Sequence, residues 1–151
     1  MGFDINGLSP NPDIKDENNE PIGTYFRNNV WWWRQMWALI GSVGEFVIRQ
    51  KEGIPIDHED DQICKKHLAM LEEWRAKYNS GTYNDGTRFE DKNLEIVTEA
   101  LEFVLENKEH KQIVNFLDYI SDELGDNYQF SWENVEDFQA FVVNSGGFEI
   151  W

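Results

Sequence analysis

Apolar positions from Val30 to about Gln50 repeat at helical spacing and crowd one side of the helix they predict. With Trp31 set at 0° and about 100° per residue, Trp33, Met36, Trp37, Ile40, Val43, Gly44 and Val47 fall in an arc of about 120–240°. Trp32, Leu39 and Phe46 add a stripe at about 60–100°. The apolar arc then approaches about 180°, against the roughly 100° of a surface helix. Such a helix belongs near the centre of the molecule. Asn28 or Asn29 supplies its N-cap, and Gly53 with Pro55 ends it. Gly41 and Gly44 remove side chains from it and invite close approach of a neighbouring backbone. Trp31 points away from this core face, on the side of Gln35, Ser42 and Arg49. Either Tyr25, Phe26 and the 6–24 loop fold back over it, or it anchors a partner or ligand, a role in which Trp and Arg are common.

Residues 6–24 are rich in Asn, Asp, Pro and Gly and read as a polar loop. Residues 1–24 are thus expected to be mostly a loop arm on a helical body of residues 25–151. A second helix is predicted from Asp57 to Gly81, with Glu59, Asp60 and Asp61 in its first turn and Arg75 and Lys77 in its last, as the helix dipole favours. Gly81 to Thr87 is turn-rich. Two helices follow, about Asp91–Asn107 and Glu109–Leu124, separate or fused, with Gly125 as a stop. Ser131 caps a last helix that runs to about Asn144 and ends at Gly146-Gly147. Gly2-Phe3-Asp4-Ile5 echoes Gly147-Phe148-Glu149-Ile150, each alternating apolar and acidic residues. Either the termini pair as a short two-stranded β-ribbon, or two docked tails match by chance. The expected fold is a mainly α, single compact domain of about five helices, with or without that ribbon.

Length and composition narrow the class. A chain of 151 residues suits one domain that needs no staples. Four of its seven tryptophans lie between Trp31 and Trp37; at about 150–250 Å² each they must be core, partner surface or both. The single cysteine, Cys64, excludes an internal disulfide framework and fits a reducing cytoplasm. It lies among apolar neighbours, away from any helix N-terminus that would favour a thiolate. No apolar run approaches the ~20 residues that span a bilayer. The N-terminus lacks a signal-peptide pattern, and Asn6 stands where a myristoylation motif wants Ser or Thr. The net charge of −16 argues against direct nucleic-acid binding and for basic partners. Only residues 21–51 are net positive, with Arg27, Arg34, Arg49 and Lys51 against Glu45.

Candidate chemistry is sparse. Glu95, Glu99, Glu102 and Glu106 share one helical face as a single-sign stripe, either solvated or turned to a basic partner. His58 sits among Asp57, Glu59, Asp60 and Asp61, which helix capping explains without a metal. His67 reads as a hydrogen-bonded core histidine, and His110 has no partner in the sequence. Tyr83-Asn84-Asp85-Gly86 fails as an EF-hand and reads as a tight turn. No Walker loop, GxGxxG, GxSxG or HExxH occurs, so neither a cofactor nor a metal is expected and the reading leans away from an enzyme.

Several blocks carry a resemblance. They are Met1-Gly2-Phe3-Asp4-Ile5-x-Gly7, Gly23-x-Tyr25-Phe26-Arg27-Asn28-Asn29-Val30-Trp31-Trp32-Trp33-Arg34-x-x-Trp37, Asn84-Asp85-Gly86, Phe130-Ser131-x-Glu133-Asn134-Val135-x-x-Phe138 and Ser145-Gly146-Gly147-Phe148-Glu149-Ile150-Trp151. Together they resemble a family of small acidic proteins encoded in bacteriophages and prophages, one with no activity attached to it. Some relatives carry a cysteine-pair insertion before the Phe130 block; this chain has none, so no zinc site is implied. The resemblance singles out Arg27, Asn28, Asn29, Arg34, Asn84 and Asp85, which would hold an anion at a helix N-terminus or serve as caps and loop-docking groups. Taken with the acidity and the lack of catalytic motifs, it leads to the expectation of a phage accessory protein in the host cytoplasm that binds a host protein, with Trp31, Glu95, Glu99, Glu102 and Glu106 as the partner-binding candidates. The alternatives are a small-ligand or anion site, enzymatic or not, and an acidic DNA mimic. No membrane is implied as a partner, and the oligomeric state is open.

Overall fold

The computed structural model describes residues 2–124 and 130–151. Strand β1 (Gly2–Gly7) is followed by a loop and strand β2 (Tyr25–Asn29), which runs straight into helix α1 (Val30–Glu52). A 3-10 turn at Asp60–Gln62 precedes α2 (Lys65–Gly81) and β3 (Thr87–Phe89). Helices α3 (Asp91–Glu106), α4 (Lys111–Leu124) and α5 (Trp132–Ser145) come next, and β4 (Phe148–Ile150) closes the chain. The result is the mainly α, single compact domain that the periodicity predicts. The expected stop at Gly125 lies outside the described residues.

Helix α1 starts where its sequence says it should. The Asn29 side chain accepts from the Trp32 N–H at 2.9 Å, and Gly53 ends the helix with φ at 69°, a left-handed cap. Its core face is the predicted one, with Trp33, Met36, Trp37, Ile40 and Val43 all buried. Trp33 stacks on Trp37 with centroids 5.0 Å apart, and Phe138 and Phe89 meet the two indoles edge-on. Each buried indole N–H finds a carbonyl: Trp33 donates to Gly81, Trp37 to Tyr78, and Trp74 to Gly41. The close approach at Gly41 and Gly44 is made by rings rather than by backbone. A Cβ at Gly44 would stand 2.5 Å from the Trp74 ring, and one at Gly41 would stand 2.3 Å from Tyr78.

The termini do pair, but inside a larger sheet. β1 is antiparallel to β4, with Ile5 opposite Ile150, and the four-stranded order is β2-β1-β4-β3. The arm is therefore a central strand at its start. Its loop then lies along the C-terminal end of α5, where Leu8, Ser9 and Asn11 donate to the carbonyls of Gly147, Ser145 and Asn144. One sheet face, with Phe3, Ile5, Phe89, Phe148 and Ile150, is fully buried. Phe26 on the same face packs on Phe138 and Phe141.

Two helix boundaries differ from expectation. α2 begins at Lys65 and not Asp57, because the acids upstream are used elsewhere. Glu59 and Gln62 cap the 3-10 turn reciprocally, and the Asp60 carboxylate takes a two-pronged bond from Arg75 at 2.9 and 3.1 Å. Cys64 is consequently exposed at the N-cap position of α2, not enclosed by apolar neighbours. α3 and α4 are separate helices. Between them His110 accepts from the Gln112 N–H through Nδ1 and lays its ring against Phe46 and Phe103.

Candidate functional site

The back of α1 is covered by another helix. α4 has an apolar stripe of Ile113, Phe116, Leu117 and Ile120, and packs this against α1 on the side opposite the tryptophan core. α1 carries Trp31, Arg34, Gln35, Ala38, Ser42 and Glu45 there, positions that cluster within about 100° around Trp31. Large residues of α4 meet small or polar ones of α1, and the fit leaves two recesses that share Ala38 and Phe116. Each is about 300 Å³, at the lower end of the range for small-molecule sites.

The two recesses differ in chemistry. The first, lined by Gly41, Ser42, Glu45, Trp74, Arg75 and Tyr78, has its charges already matched. Arg75 bonds both Glu45 and Asp60, and these hydrogen bonds hold its guanidinium more firmly protonated. The second is lined by Trp31, Arg34, Gln35, Phe116, Tyr119 and Ile120. Gln35 is only 2% exposed, and among the described residues neither its Oε1 nor its Nε2, both closed to solvent, has a hydrogen-bond partner. A buried amide left in this state costs about 1–3 kcal/mol per unmatched group. At the rim Arg34 is exposed and makes no ion pair among the described residues. Trp31 and Tyr119 are 49% and 61% exposed beside it. Among the described residues the cleft has apolar and aromatic walls and one cation, Arg34, with the Gln35 amide sealed behind them.

The polar residues suggested by the resemblance are not brought into one pocket. Asn28 is buried and exchanges two hydrogen bonds with Asn134, at 2.8 and 2.9 Å, tying β2 to α5. Asn29 is spent as the α1 cap. Arg27 projects from the open sheet face, 3.9 Å from Asp4 across the strand pair. Asn84 is exposed in the loop before β3, where Asp85 accepts from the Thr87 hydroxyl at 2.6 Å and Gly86 takes φ of +90°. Because β2 and β3 are opposite edges of the sheet, Arg27 and this loop are three strand spacings apart, about 14 Å. Only Arg34 of that set lines the cleft.

Trp31 points away from the core as predicted, and lines the cleft with Phe116, Tyr119 and Ile120 of α4. The Tyr25 hydroxyl donates to Asp4, a bond that raises its pKa. The acidic stripe is interrupted. Lys51 of α1 reaches Glu99 at 2.6 Å and Glu95 at 3.3 Å; the bond to Glu99 chiefly, then that to Glu95, raises its pKa against partial burial. Glu102 and Glu106 stay exposed. His67 is not in the core, but half-buried with Nε2 3.7 Å from Glu52. Among the described residues no three His, Cys, Asp or Glu side chains are placed to hold a metal, and no helix is long and apolar enough to cross a membrane.

Gln35 was the residue missed, although a signal existed. It is a glutamine one turn from Trp31 in a helix too apolar to leave any side open, while α4 has an apolar stripe in need of a cover. In comparison with known proteins, no family, curated protein or solved structure matches the chain.

Proposed function

We propose that the protein works by binding, as a phage accessory protein in the cytoplasm of the infected cell, and that it takes a small ligand in the Trp31–Tyr119 cleft. The observation that carries this is the cleft of about 300 Å³ between α1 and α4, with Phe116, Tyr119 and Ile120 as its α4 wall and Arg34 at its rim. Small-molecule sites are clefts of this kind, mostly apolar with a few polar groups that fix orientation. Thermal denaturation of the wild type, of Gln35→Leu and of Arg34→Ala, each against amino acids, nucleotides, sugar phosphates and dicarboxylates, tests it. Without ligand, Gln35→Leu should melt higher, by about 2–4 °C for each kcal/mol regained. One compound class should raise the melting point of the wild type and raise that of Arg34→Ala less. A wild type indifferent to every class would overturn the reading.

A second reading has a host protein with a basic surface as the partner, docking on the rim. It is favoured by the exposure of Trp31 and Tyr119 beside Arg34, a composition typical of binding hot spots. Retention of one stoichiometric host protein by the wild type, and its loss with Tyr119→Ala, would support this reading over the first.

A further inference from the structure

We infer that the ligand of the cleft is a small monocarboxylate on an apolar body, with its carboxylate on Arg34 and its body against α4; the inference rests on the cleft being a ligand site. Phe116 and Ile120 of α4 face Ala38 of α1 across the space, and none of the three offers a side-chain hydrogen bond. The Gln35 amide is sealed behind the lining and does not reach a guest. A ligand that set hydroxyls or ring nitrogens against these side chains would leave its own polar groups unmatched, a cost that hydrocarbon does not carry. The part that enters is therefore apolar.

Charge sets the other end. Arg34 is exposed, makes no ion pair among the described residues, and is the one cation lining this cavity among them. Its planar guanidinium can hold a carboxylate by two parallel hydrogen bonds. No Asp or Glu shares the described lining to compete for it. One cation answers one negative charge, and in a chain of net charge −16 every further charge on the ligand adds repulsion. A monocarboxylate is thus favoured over a dicarboxylate or a phosphate ester. Size agrees, since about 300 Å³ holds about ten water-sized groups at about 30 Å³ each, enough for one ring or branched chain with its carboxylate. Two sources present this chemistry, a free apolar amino acid and an alkyl or aryl acid without the amine.

Isothermal titration of the full chain tests this with phenylalanine and leucine, and with hydrocinnamate and isocaproate, which are the same two bodies without the amine. Hydrocinnamyl alcohol supplies a body without the charge, and acetate the charge without the body. At least one of the four carboxylates should bind with one-to-one stoichiometry, about tenfold or more tighter than either control. The tighter member of each pair tells an amino acid from an amine-free acid, and either outcome supports the inference. Arg34→Ala should weaken the best carboxylate about tenfold and leave hydrocinnamyl alcohol unmoved, and Arg34→Lys should recover part of the loss. Ala38→Leu, which fills the space from α1, should weaken it by a similar factor, and Ala38→Val carries the same test if the leucine variant does not fold. Hydrocinnamyl alcohol binding as tightly as hydrocinnamate, or full affinity in Arg34→Ala, would overturn the carboxylate and leave the cleft to uncharged apolar compounds. No binding of the four, while another metabolite class still raises the melting point, would overturn the carboxylate and spare the cleft. Carboxylate binding unmoved by filling at Ala38, or no response to any compound, would overturn both.

Discussion

Asn28 and Gln35 lie seven residues apart, both buried and both amides, yet only one has its hydrogen bonds made. Asn28 closes a reciprocal pair with Asn134, whose Nδ2 also stands 3.5 Å from the Met36 sulfur. This makes the pair a structural tie between β2 and α5. Asn28→Ala should cost about 1–3 kcal/mol, because it strands the Asn134 amide without water. Asn134→Ala should cost a similar amount, and the double variant should cost less than the sum, with a coupling of about 0.5–3 kcal/mol in urea denaturation. Strict additivity would show the two amides to be independent and would return Asn28 to the list of ligand candidates. The sequence marks both as polar residues near a helix start, without revealing which is matched. That depends on whether a residue 106 positions away arrives opposite, as it does for Asn28.

At the scale of elements, α1 is held from two sides by different means. Toward α2 it is thinned by Gly41 and Gly44, so that Tyr78 and Trp74 lie directly against its backbone. Alanine is ordinarily the better helix former, by about 0.8–1.0 kcal/mol. Gly44→Ala should nevertheless destabilise the protein by about 1–3 kcal/mol, because the added methyl must displace a buried indole ring. Equilibrium denaturation gives the sign, and a more stable variant would mean that Trp74 yields at little cost. Toward α4 the contact is looser and leaves the cleft. The apolar stripes of both helices are legible in their periodicity. Their pairing is not, because amphipathicity says which face must be covered and not by what. Capping shows the same division. Asn29 and Ser131 cap helices as their residue types predict, whereas Asp60 leaves the expected first turn of α2 to meet Arg75, a partner 15 residues away.

For the molecule as a whole, the sheet joins the two ends of the chain. β4 lies between β1 and β3 and buries Phe148 and Ile150 completely, so truncation after Gly146 removes two ladders and two core side chains. Circular dichroism of that truncation should show loss of the cooperative melting transition. A cooperative transition near the wild-type temperature would mean that the helices alone specify the fold. The alternation Gly2-Phe3-Asp4-Ile5 and its C-terminal echo mark two strands and their buried faces by period two, while their pairing, against two docked tails, is decided by the fold. β3 escapes notice because three residues carry too little pattern, and β2 because its polar Arg27, Asn28 and Asn29 read as the approach to a helix. By itself, then, the sequence determined what is local or periodic: five helices, the caps Asn29 and Ser131, the tryptophan core and the strand pattern of the two ends. Only the tertiary structure decided which polar groups converge. It dispersed Arg27, Asn28, Asn29 and the Asn84 loop, and it enclosed Gln35 beside Arg34 and Trp31, because a side chain's hydrogen-bonding partners are set by packing between elements distant in the chain.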